Sequence, residues 1–244
     1  MLTLILPAYN EATHIAATLF HAVTVLQARG IDYEILVPIE GTDHTRGIIS
    51  MRSKRNPRIR GLWKSWPHEP RQGKGAAIQR AVREATGDII GYMDADGKTS
   101  LEHYATEVVP LLQAGYDLVI GSRVLRGACI AQPQAWYRRW GSRGFRWALH
   151  ALIGLRDIPD TQAGYKFFRR EAALDLFQDL RITGYLFDIE LLLKARQKGY
   201  RLAQIPITWR DDGDSRLTLG WMVRTLGDLV RLWWASSTER GRRQ

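Results

Sequence analysis

Short apolar runs alternate along this chain with longer segments whose apolar residues recur every three or four positions, and this alternation restricts the fold more than any other feature. Residues 2–6 read as a short buried strand stopped by Pro7, and residues 11–27 carry Ile15, Leu19, Val23 and Leu26 at helical spacing. Residues 34–39 and 58–63 read as strands, 73–85 as a helix with a glycine-rich start, and 89–93 as a strand ending at Asp94-Ala95-Asp96. A helix over 101–112 and a strand over 117–120 follow. The order strand, helix, strand, strand, helix, strand, helix, strand argues for an α/β layer around a mostly parallel sheet. In such sheets ligands sit at the carboxyl ends of strands, so the residues just after each strand are the candidates for chemistry. The second half is less regular. It reads as an aromatic, basic stretch over 135–152, a strand over 164–168, a helix over 188–198, a strand over 201–207 and a polar, acidic loop over 210–215. Residues 217–235 are apolar but interrupted by Arg224, Asp228 and Arg231, and they run through Trp233-Trp234 into Arg240, Arg242 and Arg243.

Composition removes several classes. The 244 residues, 45% hydrophobic and 25% charged, suit one globular domain with an appendage. A lone cysteine, Cys129, allows neither a disulfide framework nor a zinc cluster, and it reads as a small buried apolar residue. The net charge of +10 favours polyanionic partners: nucleic acid, acidic membrane or phosphorylated substrates. The first residues lack a basic flank and a cleavage pattern, and no segment reaches the ~20 apolar residues that span a bilayer. The expectation is a cytoplasmic body.

Two carboxylates at a strand end, Asp94 and Asp96, could both lean towards a hard divalent cation, which takes oxygen ligands and shares them with phosphate. Such an ion would neutralise a departing diphosphate; the plainer reading is a solvated turn at Gly97. Pro7-Ala8-Tyr9-Asn10-Glu11 follows the first strand: Tyr9 could stack on a base or hold a ribose and Glu11 could accept hydrogen bonds, while Asn10 reads as a cap for the following helix. Gln72-Gly73-Lys74-Gly75 opens a helix, where backbone N–H groups and the Lys74 charge suit phosphate, although the spacing is not that of a nucleotide-hydrolysing P-loop. Gly121-Ser122-Arg123 follows another strand. Arg138, Arg139, Arg143 and Arg146 interleave with Trp136, Tyr137, Trp140, Phe145 and Trp147, a mixture fit for phosphate, a membrane interface, single-stranded nucleic acid or a packed amphipathic helix. The loop Arg210-Asp211-Asp212-Gly213-Asp214-Ser215-Arg216 could close over a substrate.

Taken in order, these pieces resemble the family 2 glycosyltransferases of GT-A fold, and more narrowly the branch of dolichyl-phosphate glucosyltransferases and dolichol-phosphate mannose synthases. The resemblance rests on Pro7-Ala8-Tyr9-Asn10-Glu11, Gly73-Lys74-Gly75, Met93-Asp94-Ala95-Asp96-Gly97, Gly121-Ser122-Arg123, Asp160-Thr161-Gln162-Ala163-Gly164-Tyr165-Lys166, Phe187-Asp188-Ile189-Glu190-Leu191 and Gly213-Asp214-Ser215-Arg216. It covers about residues 2 to 217. It implies a GT-A catalytic domain over 1–216; residues 217–244 lie beyond it and read as an amphipathic helix with a basic tail, which could lie in a membrane interface with Trp221, Trp233 and Trp234 among headgroups, dock on the sheet or bind a partner.

The resemblance also implies roles. Pro7, Tyr9, Glu11, Glu40, Lys74 and Asp94 would bind the nucleotide-sugar, UDP- or GDP-linked. Asp94 and Asp96 would hold Mg²⁺ or Mn²⁺. Arg123, Arg138, Ser142, Arg210 and Ser215 would bind the acceptor phosphate, and Asp96, Arg123 and Arg210 would serve catalysis. The implied reaction is inverting transfer of a hexose to a polyprenyl or dolichyl phosphate, by a peripheral protein at the cytoplasmic face of a membrane, with a membrane-protein partner as a further expectation and nucleic acid not among the partners. The chain departs from the family in Pro38-Ile39-Glu40-Gly41-Thr42-Asp43, where Glu40 stands in for the first of two paired aspartates and Gly41 for the second. That departure leaves open a catalytically inactive scaffold that binds lipid phosphate or a partner protein. The Gln-x-x-Arg-Trp motif of chain-elongating members is incomplete, since Trp136 precedes Arg139-Trp140 where glutamine belongs. A basic nucleic-acid-binding protein would leave the strand-end carboxylates unexplained, and the sequence lacks the N-terminal glycine-rich loop and arginine of a nucleotidyltransferase.

Overall fold

A computed structural model describes residues 1–63, 72–130, 155–184 and 186–210. The first strands are β1 (Leu2–Ile5) and β2 (Ala8–Tyr9), followed by α1 (Ile15–Ala28), β3 (Tyr33–Glu40), α2 (Thr45–Arg55), β4 (Ile59–Trp63) and α3 (Lys74–Glu84). After them come β5 (Ile89–Met93), a π-helical turn (Tyr104–Val108) leading into α4 (Val109–Gln113), β6 (Leu118–Ser122) and β7 (Cys129–Ile130). The chain continues through β8 (Tyr165–Arg169), α5 (Arg170–Gln178), α6 (Phe187–Gln197), β9 (Leu202–Pro206) and β10 (Thr208–Trp209).

The sheet runs β4-β3-β1-β5-β8-β6-β9, with β2 continuing past the Leu6-Pro7 break along the same neighbour, β3. All pairings are parallel except those of β8, which lies antiparallel between β5 and β6. Both faces are covered, so the strands are apolar at consecutive positions and do not alternate with polar residues. Leu4, Ile35 and Val37 pack on one face with Ile15, Leu19 and Leu26 of α1 and with the π turn. Ile5 and Leu36 pack on the other face with Ile78 and Val82 of α3, Phe177 of α5 and Ile189 of α6. This doubly wound layer brings the carboxyl ends of β1, β3, β5, β6 and β9 and the amino end of β8 to one rim.

Several sequence expectations are corrected. The strand at 89–93 is observed residue for residue, but α2 intervenes between the second and third strands and α5 follows β8 directly, neither of which the apolar periodicity announced. The expected helix over 101–112 is shorter and begins as the π turn at Tyr104. Asn10 does not cap α1: the helix starts at Ile15, and Asn10, at φ 53°, turns its carboxamide oxygen to accept the N–H groups of Thr42 and Asp43. Cys129 is exposed, not buried. The expected helix over 217–235, its domain boundary at 216, and the basic segment with Arg138 and Ser142 lie outside the described residues, as does Ser215. Among the described residues no helix is long and apolar enough to cross a membrane.

Gly91 explains how the antiparallel β8 fits beside β5. It pairs with Phe167, and a Cβ at this position would lie 2.1 Å from the Phe167 ring. Gly91→Ala is therefore expected to lower stability by about 1–3 kcal/mol in urea unfolding, with part regained when Phe167→Leu is added. Unchanged stability in the single variant contradicts this packing.

Candidate active site

The rim is built around the end of β5. Asp94 donates its backbone N–H to the Gly164 carbonyl (3.0 Å), and its carboxylate lies against the Gly164 backbone so closely that a Cβ there would sit 2.0 Å from Asp94 Oδ2. Lys74, the first residue of α3, reaches Asp94 Oδ1 with its Nζ at 2.5 Å. Burial alone would push Asp94 upward, but Lys74, and beyond it Arg123 and Lys166, hold it below the ordinary carboxylate range. Ala95 is buried, and its carbonyl accepts the Thr18 hydroxyl of α1 (2.9 Å), which fixes the turn.

Asp96 has the opposite balance. Its carboxylate takes the Lys98 N–H at 3.1 Å and keeps the Lys98 ammonium at 3.9 Å. Burial, then the charge of Asp94, and more weakly Glu11, raise it from 3.8 to about 6. A carboxylate pushed up this way attracts a cation. The donors present are carboxylate oxygens, which suits Mg²⁺ or Mn²⁺ completed by phosphate oxygens. Among the described residues no cluster of three or more His, Cys, Asp or Glu residues forms a self-sufficient metal cage.

On the other side of β5, Arg123 follows β6 and is clamped by the buried Asp160: Nε to Oδ2 at 2.9 Å, Nη2 to Oδ1 at 2.8 Å, and its backbone N–H to Oδ2 at 2.8 Å. Its guanidinium lies 5.4 Å from the Trp209 ring. Arg210, next in the chain, donates its backbone N–H to the Lys98 carbonyl at 2.9 Å, so β10 delivers it beside the Asp94–Asp96 turn. Lys74, Asp94, Asp96 and Arg123 thus share one mouth at the carboxyl edge of the sheet, and the Arg210 backbone reaches its border. The model of glycosyl transferase family 2 matches residues 3–177, a span that contains most of it.

The chain belongs to glycosyl transferase family 2.

Among curated relatives it is 33% identical over 242 residues to a dolichyl-phosphate beta-glucosyltransferase of Trichomonas vaginalis, covering 94% of this chain and 70% of that one. It is 30% identical to the dolichyl-phosphate beta-glucosyltransferase of Drosophila melanogaster, over 95% and 74% of the two chains. The fold is shared with mannosyl-3-phosphoglycerate synthase from Rubrobacter xylanophilus, at TM-score 0.70 and 19% identity over 100% of this chain and 76% of that one. It is shared too with glucosyl-3-phosphoglycerate synthase from Mycobacterium tuberculosis, solved with Mn²⁺, uridine diphosphate and phosphoglyceric acid, at TM-score 0.66 and 23% identity over 98% and 78%. The fold of this family 2 glycosyltransferase is accordingly the GT-A-like α/β arrangement that the sequence led us to expect.

The remaining candidates from the sequence fall around this mouth in different ways. Pro7 and Tyr9 border the β1–β2 break, and Tyr9 stands opposite Glu40 across the β2–β3 pairing. Glu11 is buried and donates its N–H to the Thr45 hydroxyl at 3.0 Å. Glu40 turns its carboxylate to the N–H groups of Gln72 and Gly73, 3.3 Å each, so it braces the entry to α3. The N–H of Gly75 goes to the Thr183 carbonyl at 2.9 Å, and Gly73 and Gly75 are small because Ile182, Thr183 and Phe187 pass close over them. These N–H groups are therefore engaged within the protein, and the Lys74 ammonium is turned to Asp94. Gly41, the family departure, has φ +110° and would place a Cβ 2.1 Å from Asn10 Oδ1, so the loop geometry accounts for it. Sequence reasoning gave no role to Asp160, Gly164, Lys166 or Lys98; the first three belong to one quoted motif, which was the available signal.

The raised Asp96 carboxyl has a thermodynamic signature. The folded, metal-free state keeps a proton that the unfolded chain releases above its ordinary 3.8, so stability falls as pH rises from about 4 to about 6. Asp96→Asn should remove that fall and raise the melting temperature of the metal-free protein at neutral pH. Identical melting curves for the two proteins across that window contradict the assignment.

Proposed function

We propose that this family 2 glycosyltransferase moves a hexose from a UDP- or GDP-sugar onto a polyprenyl or dolichyl phosphate, with Mg²⁺ or Mn²⁺ as cofactor and inversion at the anomeric carbon. The observation that carries the reading is the unequal pair at the end of β5. Asp94 is answered by Lys74, while Asp96 is left as a pushed-up carboxylate facing the same mouth. A lipid phosphate is named in several relatives at 28–33% identity, and the net charge of +10 agrees with two anionic substrates.

Asp96, with Asp94 beside it, would hold the divalent ion, which supplies Lewis-acid charge to the diphosphate leaving group. Pro7, Tyr9 and Glu11 line the nucleotide side and Lys74 meets a phosphate. Arg123, oriented by Asp160, and Arg210 take phosphate oxygens, with the acceptor on their side of the mouth. An acceptor phosphate is already ionised at neutral pH, so the site needs no strong general base. Its oxygen attacks the anomeric carbon opposite the diphosphate; the new C–O bond forms as the bond to the diphosphate oxygen breaks, and the electron pair leaves on that oxygen. Positioning and charge supply the rate. A lipid acceptor calls for a peripheral site at a membrane, which we assign to the cytoplasmic face.

The direct assay is Mn²⁺-dependent release of UDP or GDP from a sugar nucleotide on addition of polyprenyl phosphate. Asp94→Ala and Asp96→Ala are each expected to reduce transfer by at least about 10²–10³-fold, the range seen when charge-stabilising groups are removed, with far-ultraviolet circular dichroism unchanged. Transfer at the wild-type rate in either variant, or release that ignores the lipid phosphate, rejects the reading.

A further inference from the structure

Lys166 is a charged side chain with 0% exposure in the middle of the sheet. Its Nζ donates to the Ala163 carbonyl at 2.7 Å and lies 2.7 Å from Asp188 Oδ1 at the start of α6. The same carboxylate oxygen accepts the hydroxyl of Tyr92, which pairs with Lys166 across β5 and β8 and stands two residues before Asp94. The ammonium therefore ties three parts of the rim together: the loop over residues 160–164, the first turn of α6, and the end of β5.

That loop mounts the groups that face the mouth. Asp160 at one end grips Arg123 by backbone and guanidinium. Gly164 at the other end receives the Asp94 N–H and leaves room for its carboxylate. Asp94 and Asp160 both feel the Lys166 charge. A buried ion pair is weak evidence for stability, because replacing one with apolar residues of similar volume is often neutral or stabilising, and this one lies against the loop that carries Asp160 and Gly164.

We propose that Lys166 is a positioning residue for transfer: its ammonium clamps the 160–164 loop so that Gly164 and Asp160 hold Asp94 and Arg123 in the arrangement that meets the donor diphosphate. The inference rests on the transferase reading, and the two fail separately in the test.

Lys166→Met alone strands Asp188 as an unpaired buried charge and endangers folding. The triple variant Tyr92→Phe, Lys166→Met, Asp188→Val removes the three polar side chains of the cluster at nearly constant total volume. It is expected to melt within a few degrees of wild type, to lose about 100-fold in kcat, as small misplacements of reacting groups do, and to need severalfold more Mn²⁺ for half-saturation in the presence of UDP, read by calorimetry. A merely structural pair would alter melting and leave the Mn²⁺ constant in place. A folded triple variant with wild-type kcat and Mn²⁺ constant overturns the clamp, and so does a triple variant that cannot fold. A wild-type protein with no transfer counts against the transferase reading instead, and the Mn²⁺ titration still decides the clamp.

Discussion

The organisation of the rim follows from two carboxylates at the end of one strand that are held unequally, Asp94 by the Lys74 ammonium at 2.5 Å and Asp96 by the Lys98 ammonium at 3.9 Å. Lys74 is committed to Asp94, so Asp96 carries a charge that the protein disfavours and an outside cation would relieve. A half-buried carboxylate whose nearest ammonium is 3.9 Å away costs free energy in the protein as it stands, and a divalent ion seated beside it would offset that cost. The rest of the rim can be read as what keeps this imbalance in place. Thr18 holds the turn from below, Gly164 lets the backbone approach Asp94, and Asp160 points Arg123 across the mouth.

The sheet makes that possible. Parallel strands deliver their carboxyl ends to one edge, and the antiparallel β8 slots its amino end, with the 160–164 loop, between β5 and β6. A chain segment more than sixty residues beyond Asp94 thereby becomes its backbone hydrogen-bond partner. Small residues at Gly91, Gly121 and Gly164 admit this insertion, since a Cβ at each would crowd Phe167, Tyr165 or the Asp94 carboxylate. Packing and chemistry are set by the same contacts here, which is why the motif around Asp160 to Lys166 reads as a unit in the sequence.

Much of this was visible in the amino-acid order, for physical reasons that differ by element. β5 is uniformly apolar and sharply ended by acidic residues, so its limits were legible. α2 was not: Thr45 and Ile49 are its only buried residues, and four basic side chains and Gly47 dilute any apolar stripe. α5 has a usable stripe in Ala172, Ala173, Leu176 and Phe177, but it begins at the residue after β8 and no turn signal separates the two. The site candidates Asp94, Asp96, Lys74 and Arg123 do share a mouth. Glu40 and Asn10 show what local reading misses. Glu40 braces the entry to α3 more than thirty residues later, and Asn10 adopts a left-handed backbone to hold the 42–43 turn. Long-range hydrogen bonds leave no periodic trace.

Anomalous scattering at the manganese edge, from crystals grown with Mn²⁺ and a nucleoside diphosphate, addresses the central claim without relying on turnover. The account expects one strong peak within coordination distance of an Asp96 carboxylate oxygen and of the diphosphate, with Asp94 and Lys74 alongside. A nucleotide seated in the mouth with no ion at Asp96, or an ion bound elsewhere on the chain, contradicts it.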